Sequence, residues 1–210
     1  MTIANKTIII GVAGPSASGK SLLAHTIVEE LSSKEVVIIT QDSYYKSRND
    51  LPFEERVTIN YDHPDAFDHE LMVEQLKALQ AGKTVQIPIY DYTQHTRSNK
   101  TRTIGPHSII VIEGILIFAD AKLRELIDIG IFVETPLDTC LIRRLKSDVK
   151  ERGRDLDSVL EQYETTVRPM FLQFIEPSKI YADLIVPHGG KNRIAINLIK
   201  TQMRSLLNGN

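Results

Sequence analysis

Along the chain, short apolar runs rich in β-branched residues alternate with longer stretches of helical periodicity. The runs are Thr7–Ala13, Val36–Thr40, Ser108–Ile112, Gly130–Val133 and Leu184–Val186. Each is apolar almost throughout, the pattern of strands buried on both faces of a parallel sheet. Between them, Leu22, Ile27 and Leu31 recur at helical spacing, as do Leu71, Leu76 and Leu79. Leu137, Leu141 and Leu145 make a third such set, and Leu160, Tyr163 and Val167 a fourth. Strand alternating with helix predicts an α/β fold, a mostly parallel sheet flanked by helices with right-handed crossovers. Val85 to Thr103 breaks the rhythm and reads as strand, turn, strand, with Tyr90 and Tyr92 on one side. Its turn-like triplet Ser98-Asn99-Lys100 predicts the tip of an inserted β-hairpin over about 85–104.

One segment carries unambiguous chemistry. Gly14-Pro15-Ser16-Ala17-Ser18-Gly19-Lys20-Ser21 matches the phosphate-loop pattern G-x-x-x-x-G-K-[ST] without a gap, after an apolar run and before a helix-forming one. Glycines let backbone N–H groups wrap around phosphate oxygens, and the following helix start adds dipole and free donors. Lys20 would reach the β- and γ-phosphates, and the Ser21 hydroxyl would bind Mg²⁺. A guanine-specifying N-K-x-D sequence, a D-x-x-G switch and an L-S-G-G-Q-like signature are all missing from the sequence. What remains is a small-molecule kinase.

In open α/β sheets ligands gather outside the carboxyl ends of the strands. Asp42 and Glu113 fall there, each just past an apolar run. A carboxylate in that place can hold Mg²⁺ or accept the proton of an attacking hydroxyl. The ordinary readings are a turn or helix cap for Asp42 and a solvated turn for Glu113 beside Gly114. A basic segment runs over about 143–155, with Arg143, Arg144, Lys146, Lys150, Arg152 and Arg154, and Arg152-Gly153-Arg154 predicts a break in its helix. It reads as a cationic lid over the transferring phosphoryl group, or else as a solvated helix face that Asp148 and Glu151 help to neutralise.

Size and charge narrow the classes. At 210 residues the chain is expected to form one domain over 1–210, and only 207–210 read as a loose tail. A formal charge of −2, from 25 basic and 27 acidic residues, argues against nucleic acid as the main partner. Cys140 is the single cysteine, so no internal disulfide or cysteine zinc cluster is available. No apolar stretch approaches the roughly 20 residues of a bilayer span, and no signal-peptide pattern opens the chain. A cytoplasmic protein with no membrane partner is the expectation.

Beyond the phosphate loop, several segments resemble the uridine–cytidine kinases. They are Gln41-Asp42-Ser43-Tyr44-Tyr45, the run Asn60 to Asp68, Ile87 to Tyr92 followed by His95-Thr96-Arg97, Glu113 to Leu116, Glu151 to Asp155, and Tyr181-Ala182-Asp183. The Y-D-H-P-D-A-F-D segment with the tyrosine–histidine hairpin is the most specific of these. The resemblance implies a P-loop kinase fold and transfer of the γ-phosphate of ATP, or GTP, to the 5′-hydroxyl of uridine or cytidine. It implies Asp42 as general base with Lys20 in the catalytic set. Ser21, Glu113 and Asp42 would surround Mg²⁺, and Arg143 would join the phosphate loop in holding the nucleotide. Asp62, aided by Arg144, would grip the ribose hydroxyls with Tyr45 near the sugar. Tyr90 and His95 would read the pyrimidine 4-position. Tyr61 and Tyr92 would sandwich the ring, stacking being worth roughly 1–3 kcal/mol per base. Arg152, Arg154 and Gln162 complete the implied substrate set. CTP and UTP as feedback inhibitors and a homotetramer are implied by the family alone. The departure is Ser147, where the family often carries an arginine. The alternatives are a related kinase with another acceptor, such as phosphoribulokinase or pantothenate kinase, and a non-catalytic pyrimidine-nucleotide sensor.

Overall fold

The apolar runs form the parallel sheet their pattern predicts. In the computed structural model, which describes residues 7–208, the strands are β1 (Ile8–Ala13), β2 (Val36–Thr40), β3 (Val85–Asp91), β4 (Thr96–Ile104), β5 (Ile109–Gly114), β6 (Ile129–Glu134) and β7 (Leu184–Pro187). Five of them make one sheet in the order β2-β5-β1-β6-β7, every pairing parallel. The remaining two, β3 and β4, pair antiparallel as the inserted hairpin.

Alternate residues of β1, β2, β5 and β6 feed two cores, whereas β7 at the edge buries only Val186. Ile9, Ile39, Ile110, Ile112 and Phe132 pack on one face with Leu76 and Leu79 of helix α3 (His69–Gln80) and with Val85 and Ile87 of the hairpin. Ile10, Val12, Val111, Ile131 and Val133 pack on the other face against α1 (Lys20–Leu31) and the C-terminal helix Arg193–Leu207. Burial on both faces explains why these four strands do not alternate in hydropathy. The predicted stripe of α1 is corrected by one position. Leu23, Ala24 and Ile27 are buried, whereas Leu22 is 53% exposed. The expected tail also shrinks, since Leu207 still belongs to the C-terminal helix and 209–210 lie outside the described residues.

The hairpin tip is corrected too. The turn is 92–95, where Asp91 Oδ1 accepts from the backbone N–H groups of Thr93 and Gln94 and from the Thr93 hydroxyl. His95 completes it in the left-handed region at φ 50°. Ser98-Asn99-Lys100 instead lies inside β4, where the pairing jumps from Pro88↔Thr101 to Tyr90↔Arg97. Turn-forming residues in a strand mark the irregularity of a bulge as readily as a reversal. The hairpin is bolted to the core by Arg102, which donates to the Ile38 carbonyl at 2.8 Å, and by Arg97, which donates to the carbonyls of Tyr45 and Tyr44 at 2.6 and 3.2 Å.

Register places the chemistry. Ala13 pairs with Gly114 and Thr40 with Glu113, so β1, β2 and β5 end level. The chain therefore delivers the phosphate loop, the turn Gln41–Tyr44 and the β5 end to one crevice at the carboxyl edge. The last two touch through a buried wedge: a Cβ on Gly114 would lie 2.9 Å from Gln41 Cδ and closer still to its Oε1 and Cβ. Gly114 is thus a packing requirement and not a solvated turn. Gly114→Ala is expected to destabilise the fold by about 1–3 kcal/mol through overpacking, measured as a lower urea midpoint with unchanged slope. A midpoint equal to wild type would remove the wedge from the account.

Candidate active site

The phosphate loop closes on itself before α1 begins. The Ser18 N–H donates to the Pro15 carbonyl at 3.1 Å, and Gly19 precedes the helix at φ 96° with no side-chain cap on the first-turn N–H groups. Free donors at a helix start are an anion site by construction. Gly14 is enforced twice over, by φ 149° and by the Val133 carbonyl that a Cβ would meet at 2.6 Å. The Ser18 hydroxyl is buried and hydrogen-bonds to none of the described residues, an orphaned polar group of the kind a ligand satisfies. Pro15 is buried, whereas Ser16 and Ala17 are half-exposed on the loop, Ala17 at φ 61°. Arg143 crosses from α5 (Leu137–Leu145) to donate to the carbonyls of Ser18 and Ala17 at 2.9 and 3.3 Å.

Beside the loop, the Ser21 hydroxyl donates to Glu113 Oε2 at 2.9 Å, and Tyr92 donates to Asp42 Oδ2 at 3.3 Å. Burial pushes the Asp42 carboxyl up to about 6, opposed by the charge of Lys20 and reinforced by that of Glu113. Burial also raises Asp62, against the pull of Arg144 and Lys20. Each carboxylate therefore senses Lys20, and the cluster shares that cation. A hydroxyl and one or two carboxylates next to a phosphate cradle suit Mg²⁺, which habitually takes few protein ligands and completes its shell with phosphate and water. Ser21, Glu113 and Asp42 fit that role.

Aromatic side chains wall the crevice behind Asp42. Tyr45 is buried, stacked on Phe67 at 4.3 Å and edge-on to Tyr61 at 5.2 Å. Burial, then the charges of Asp42 and Asp62, hold its hydroxyl far above the usual tyrosine range. Tyr61 and Tyr92 flank Tyr90, with ring centroids 6.2 and 5.2 Å from it. The Tyr61 hydroxyl is spoken for, donating to the carbonyls of Arg56 and His95. The Tyr90 hydroxyl is buried and hydrogen-bonds to none of the described residues. Burial, with the Tyr61 hydroxyl beside it, raises its pKa. His95 lies 5.6 Å from the Tyr61 ring, and burial followed by the Arg154 charge depresses its pKa.

The basic segment is built around a buried acid. Asp148 is 4% exposed and gathers three arginines: Arg152 at 2.9 Å, Arg154 at 3.1 Å and Arg144 at 3.6 Å. Gln162 Oε1 bridges two of them, accepting from Arg144 and Arg154 at 2.9 Å each. Arg144 also reaches the Ser16 hydroxyl at 3.4 Å. The helix after α5 continues in wide π-turns over Lys146–Glu151 and stops at Arg152, with Gly153 at φ 68°. Ser147 donates to Glu151 Oε2 at 3.2 Å. The guanidinium groups therefore form a fixed cluster around a buried carboxylate. A solvated helix face is the wrong description of Asp148.

Asp148 was readable as a partner, since it stands four residues after Arg144 and four before Arg152, one helical turn each way. Gln41 and His69 had no such signal, because their bond spans 28 positions. The expected residues otherwise meet at one edge: the loop 14–21, Asp42 and Glu113 on one side, and Tyr45, Tyr61, Asp62, Tyr90, Tyr92 and His95 on the other, with the arginine cluster reaching across through Ser16. Among the described residues, no group of three or more His, Cys, Asp or Glu stands ready to hold a metal unaided.

A five-stranded parallel sheet with a phosphate loop on its first strand and carboxylates at the neighbouring strand ends defines a P-loop kinase. A family model described as phosphoribulokinase / uridine kinase matches residues 9–195, and the chain belongs to that family. Proteins named uridine kinase in Tolumonas auensis and Pasteurella multocida are 58% and 56% identical over 204 residues, each covering 95% of this chain and 95% and 94% of their own. Solved structures share the fold at lower identity. A D-glycerate 3-kinase from Cryptococcus neoformans superposes with TM-score 0.59 at 16% identity, covering 87% of each chain. A candidate fructose transport system kinase from Silicibacter gives TM-score 0.70 at 21% identity, over 89% of this chain and 93% of its own.

Asp148→Ala is expected to leave three guanidinium groups crowded without their acceptor and to cost about 3 kcal/mol of stability. The nucleoside KM should rise with it, because Arg144 and Arg154 lose their common anchor. Equilibrium unfolding and initial-rate kinetics check both, and a stable variant with wild-type KM would deny Asp148 its organising role.

Proposed function

We propose that this chain transfers the γ-phosphate of ATP to the 5′-hydroxyl of uridine or cytidine, giving the nucleoside monophosphate. The observation that carries this reading is the meeting of two half-sites at Asp42: its carboxylate accepts from Tyr92 of the aromatic wall while standing within the field of Lys20 and Glu113 of the phosphate side. The relatives named uridine kinase support the choice of acceptor.

In this reading Asp42 takes the proton of the 5′-hydroxyl as its oxygen bonds to the γ-phosphorus and the bond to the leaving oxygen breaks. A pKa of about 6 leaves Asp42 ionised at neutral pH yet more basic than an ordinary carboxylate. Lys20 holds the phosphates and tempers the charge shared by Asp42 and Asp62. Asp62, an acceptor-only group when ionised, suits two adjacent ribose hydroxyls. Tyr61 and Tyr92 flank the base. The unpartnered Tyr90 hydroxyl and the imidazole of His95 offer hydrogen bonds at its edge, which either O4 of uracil or N4 of cytosine could satisfy. Ser21, Glu113 and Asp42 would hold Mg²⁺, which would neutralise charge on the phosphate oxygens. Arg143 stiffens the loop through its carbonyls, and the cluster of Arg144, Arg152, Arg154 and Gln162 faces the substrate from the lid. GTP as a second donor, CTP and UTP as feedback inhibitors, a homotetramer and a single-domain cytoplasmic enzyme of pyrimidine salvage belong to the same proposal. Among the described residues no helix is long and apolar enough to cross a membrane.

An ADP-release assay with ATP and Mg²⁺ tests the acceptor. Uridine and cytidine should turn over and thymidine should not, for want of the 2′-hydroxyl that Asp62 would bind. Silence with both ribonucleosides, and a signal with ribulose 5-phosphate or pantothenate, would replace the reading. Asp42→Asn should lower kcat by about a hundredfold or more while nucleoside binding survives. A nucleotide sensor would lose little. In the wild type, kcat/KM should fall as pH drops through about 6, because protonation removes the base, and should level off above it.

A further inference from the structure

We infer that a chain of polar contacts, running from the buried Gln41 to the half-buried His69 and Asp120, aims the Asp42 carboxylate, which makes His69 a positioning residue for phosphoryl transfer. The inference rests on the reading of Asp42 as the base. Gln41 is fully buried and immediately precedes Asp42 in the turn after β2. Its Oε1 accepts from the Leu116 backbone N–H at 2.9 Å, and its Nε2 lies 3.0 Å from His69 Nε2.

These contacts fix where the protons are. A backbone N–H can only donate, so the amide oxygen of Gln41 must face Leu116 and its NH₂ must face His69. His69 Nε2 must then accept, which leaves the ring proton on Nδ1, 3.5 Å from Asp120 Oδ2. Asp120 is itself held, its Oδ1 accepting from the Leu123 N–H at 2.9 Å. Burial depresses the His69 pKa, with Asp120 and Asp68 opposing and Lys46 assisting, in keeping with a neutral ring. The ring lies parallel to Phe67 at 5.5 Å, and Gln41 is wedged against Gly114.

The arrangement does more than fill space. An apolar side chain at position 41 could pack, yet it would not fix the direction of the turn relative to the β5 end. Two directional hydrogen bonds on Gln41 tie the Asp42 turn to the segment just beyond Glu113 on one side and to the start of α3 on the other. Both proposed magnesium carboxylates, Asp42 and Glu113, are thus referred to one amide. Without an acceptor at His69, the buried Gln41 NH₂ is left unpaired and the amide is driven to reorient.

Kinetics with uridine on wild type, His69→Phe and His69→Gln test this, together with ¹⁵N NMR of histidine-labelled wild type. Phenylalanine keeps an aromatic ring over Phe67 but offers no acceptor; kcat should fall about tenfold or more, with the uridine KM within about twofold of wild type. Glutamine supplies an oxygen that can accept and should recover most of kcat. The wild-type spectrum should show His69 protonated on Nδ1 and not on Nε2 at neutral pH. Unchanged kcat in His69→Phe, equal losses in both variants, a loss confined to KM, or a proton on Nε2 would each overturn the inference. Should His69→Phe fail to fold, the tautomer still decides for or against it. Failure of the acceptor reading is separate, appearing as a wild-type enzyme silent with uridine whatever the His69 tautomer.

Discussion

The level ends of β1, β2 and β5 are the constraint on which the site depends. Their register sets Ala13 beside Gly114 and Thr40 beside Glu113, so residues far apart in sequence leave the sheet at nearly one height. A slip of one residue in the β2–β5 pairing would turn Thr40 and its neighbours to the opposite face. It would also shift Asp42 relative to Lys20 and Glu113, whose charges its carboxylate senses in this register. Two-sided burial is what forbids that slip, because Ile39 and Ile112 face one core while Val36 and Val111 face the other.

Placed there, the acids face an electrostatic conflict that the surroundings resolve in graded fashion. Asp42 and Asp62 are both raised by burial and both moderated by Lys20, with Arg144 acting on Asp62 as well. Cations that could have neutralised them outright are engaged elsewhere. Arg143 is committed to loop carbonyls, and Arg152 and Arg154 are drawn toward Asp148. With those arginines engaged elsewhere, burial keeps the Asp42 carboxyl above the ordinary carboxylate range, which full ion pairing would prevent. The buried Asp148 thus shapes the site without entering it.

What could be read from the sequence was whatever is local or periodic. Strand runs, the phosphate loop and the inserted hairpin follow from hydropathy and from a contiguous motif, and each stands in the structure. The hairpin tip misled because Ser98-Asn99-Lys100 has turn chemistry but serves a bulge, while the real turn is built by Asp91, whose side chain caps it. Leu22 misled because a twelve-residue helix flanked by two packing partners buries a stripe that the leucine spacing alone does not define. The aromatic residues of the candidate site were indicated by family resemblance, and their mutual placement needed the fold. Asp148 was local in sequence, yet charge patterning could not distinguish a solvated acid from a buried one.

The hairpin shows how an inserted loop can line the crevice without loosening it. Its turn brings Tyr92 to Asp42, while Arg97 and Arg102 on its return strand donate to core carbonyls at Tyr44, Tyr45 and Ile38. Charge-assisted bonds of this kind are about twice as strong as neutral ones, and those of Arg97 end at the turn that holds Gln41 and Asp42, while that of Arg102 ends on β2 just before it. Arg97 also pairs with Asp68 at 3.2 Å, the residue that caps α3 immediately before His69. The aromatic wall, the carboxylate turn and the helix start are therefore one mechanical unit, fastened to the sheet at Gln41 and to the hairpin at Arg97. Displacing the hairpin must disturb the Asp42 turn as well, so the aromatic wall and the Asp42 carboxylate cannot move independently in this fold.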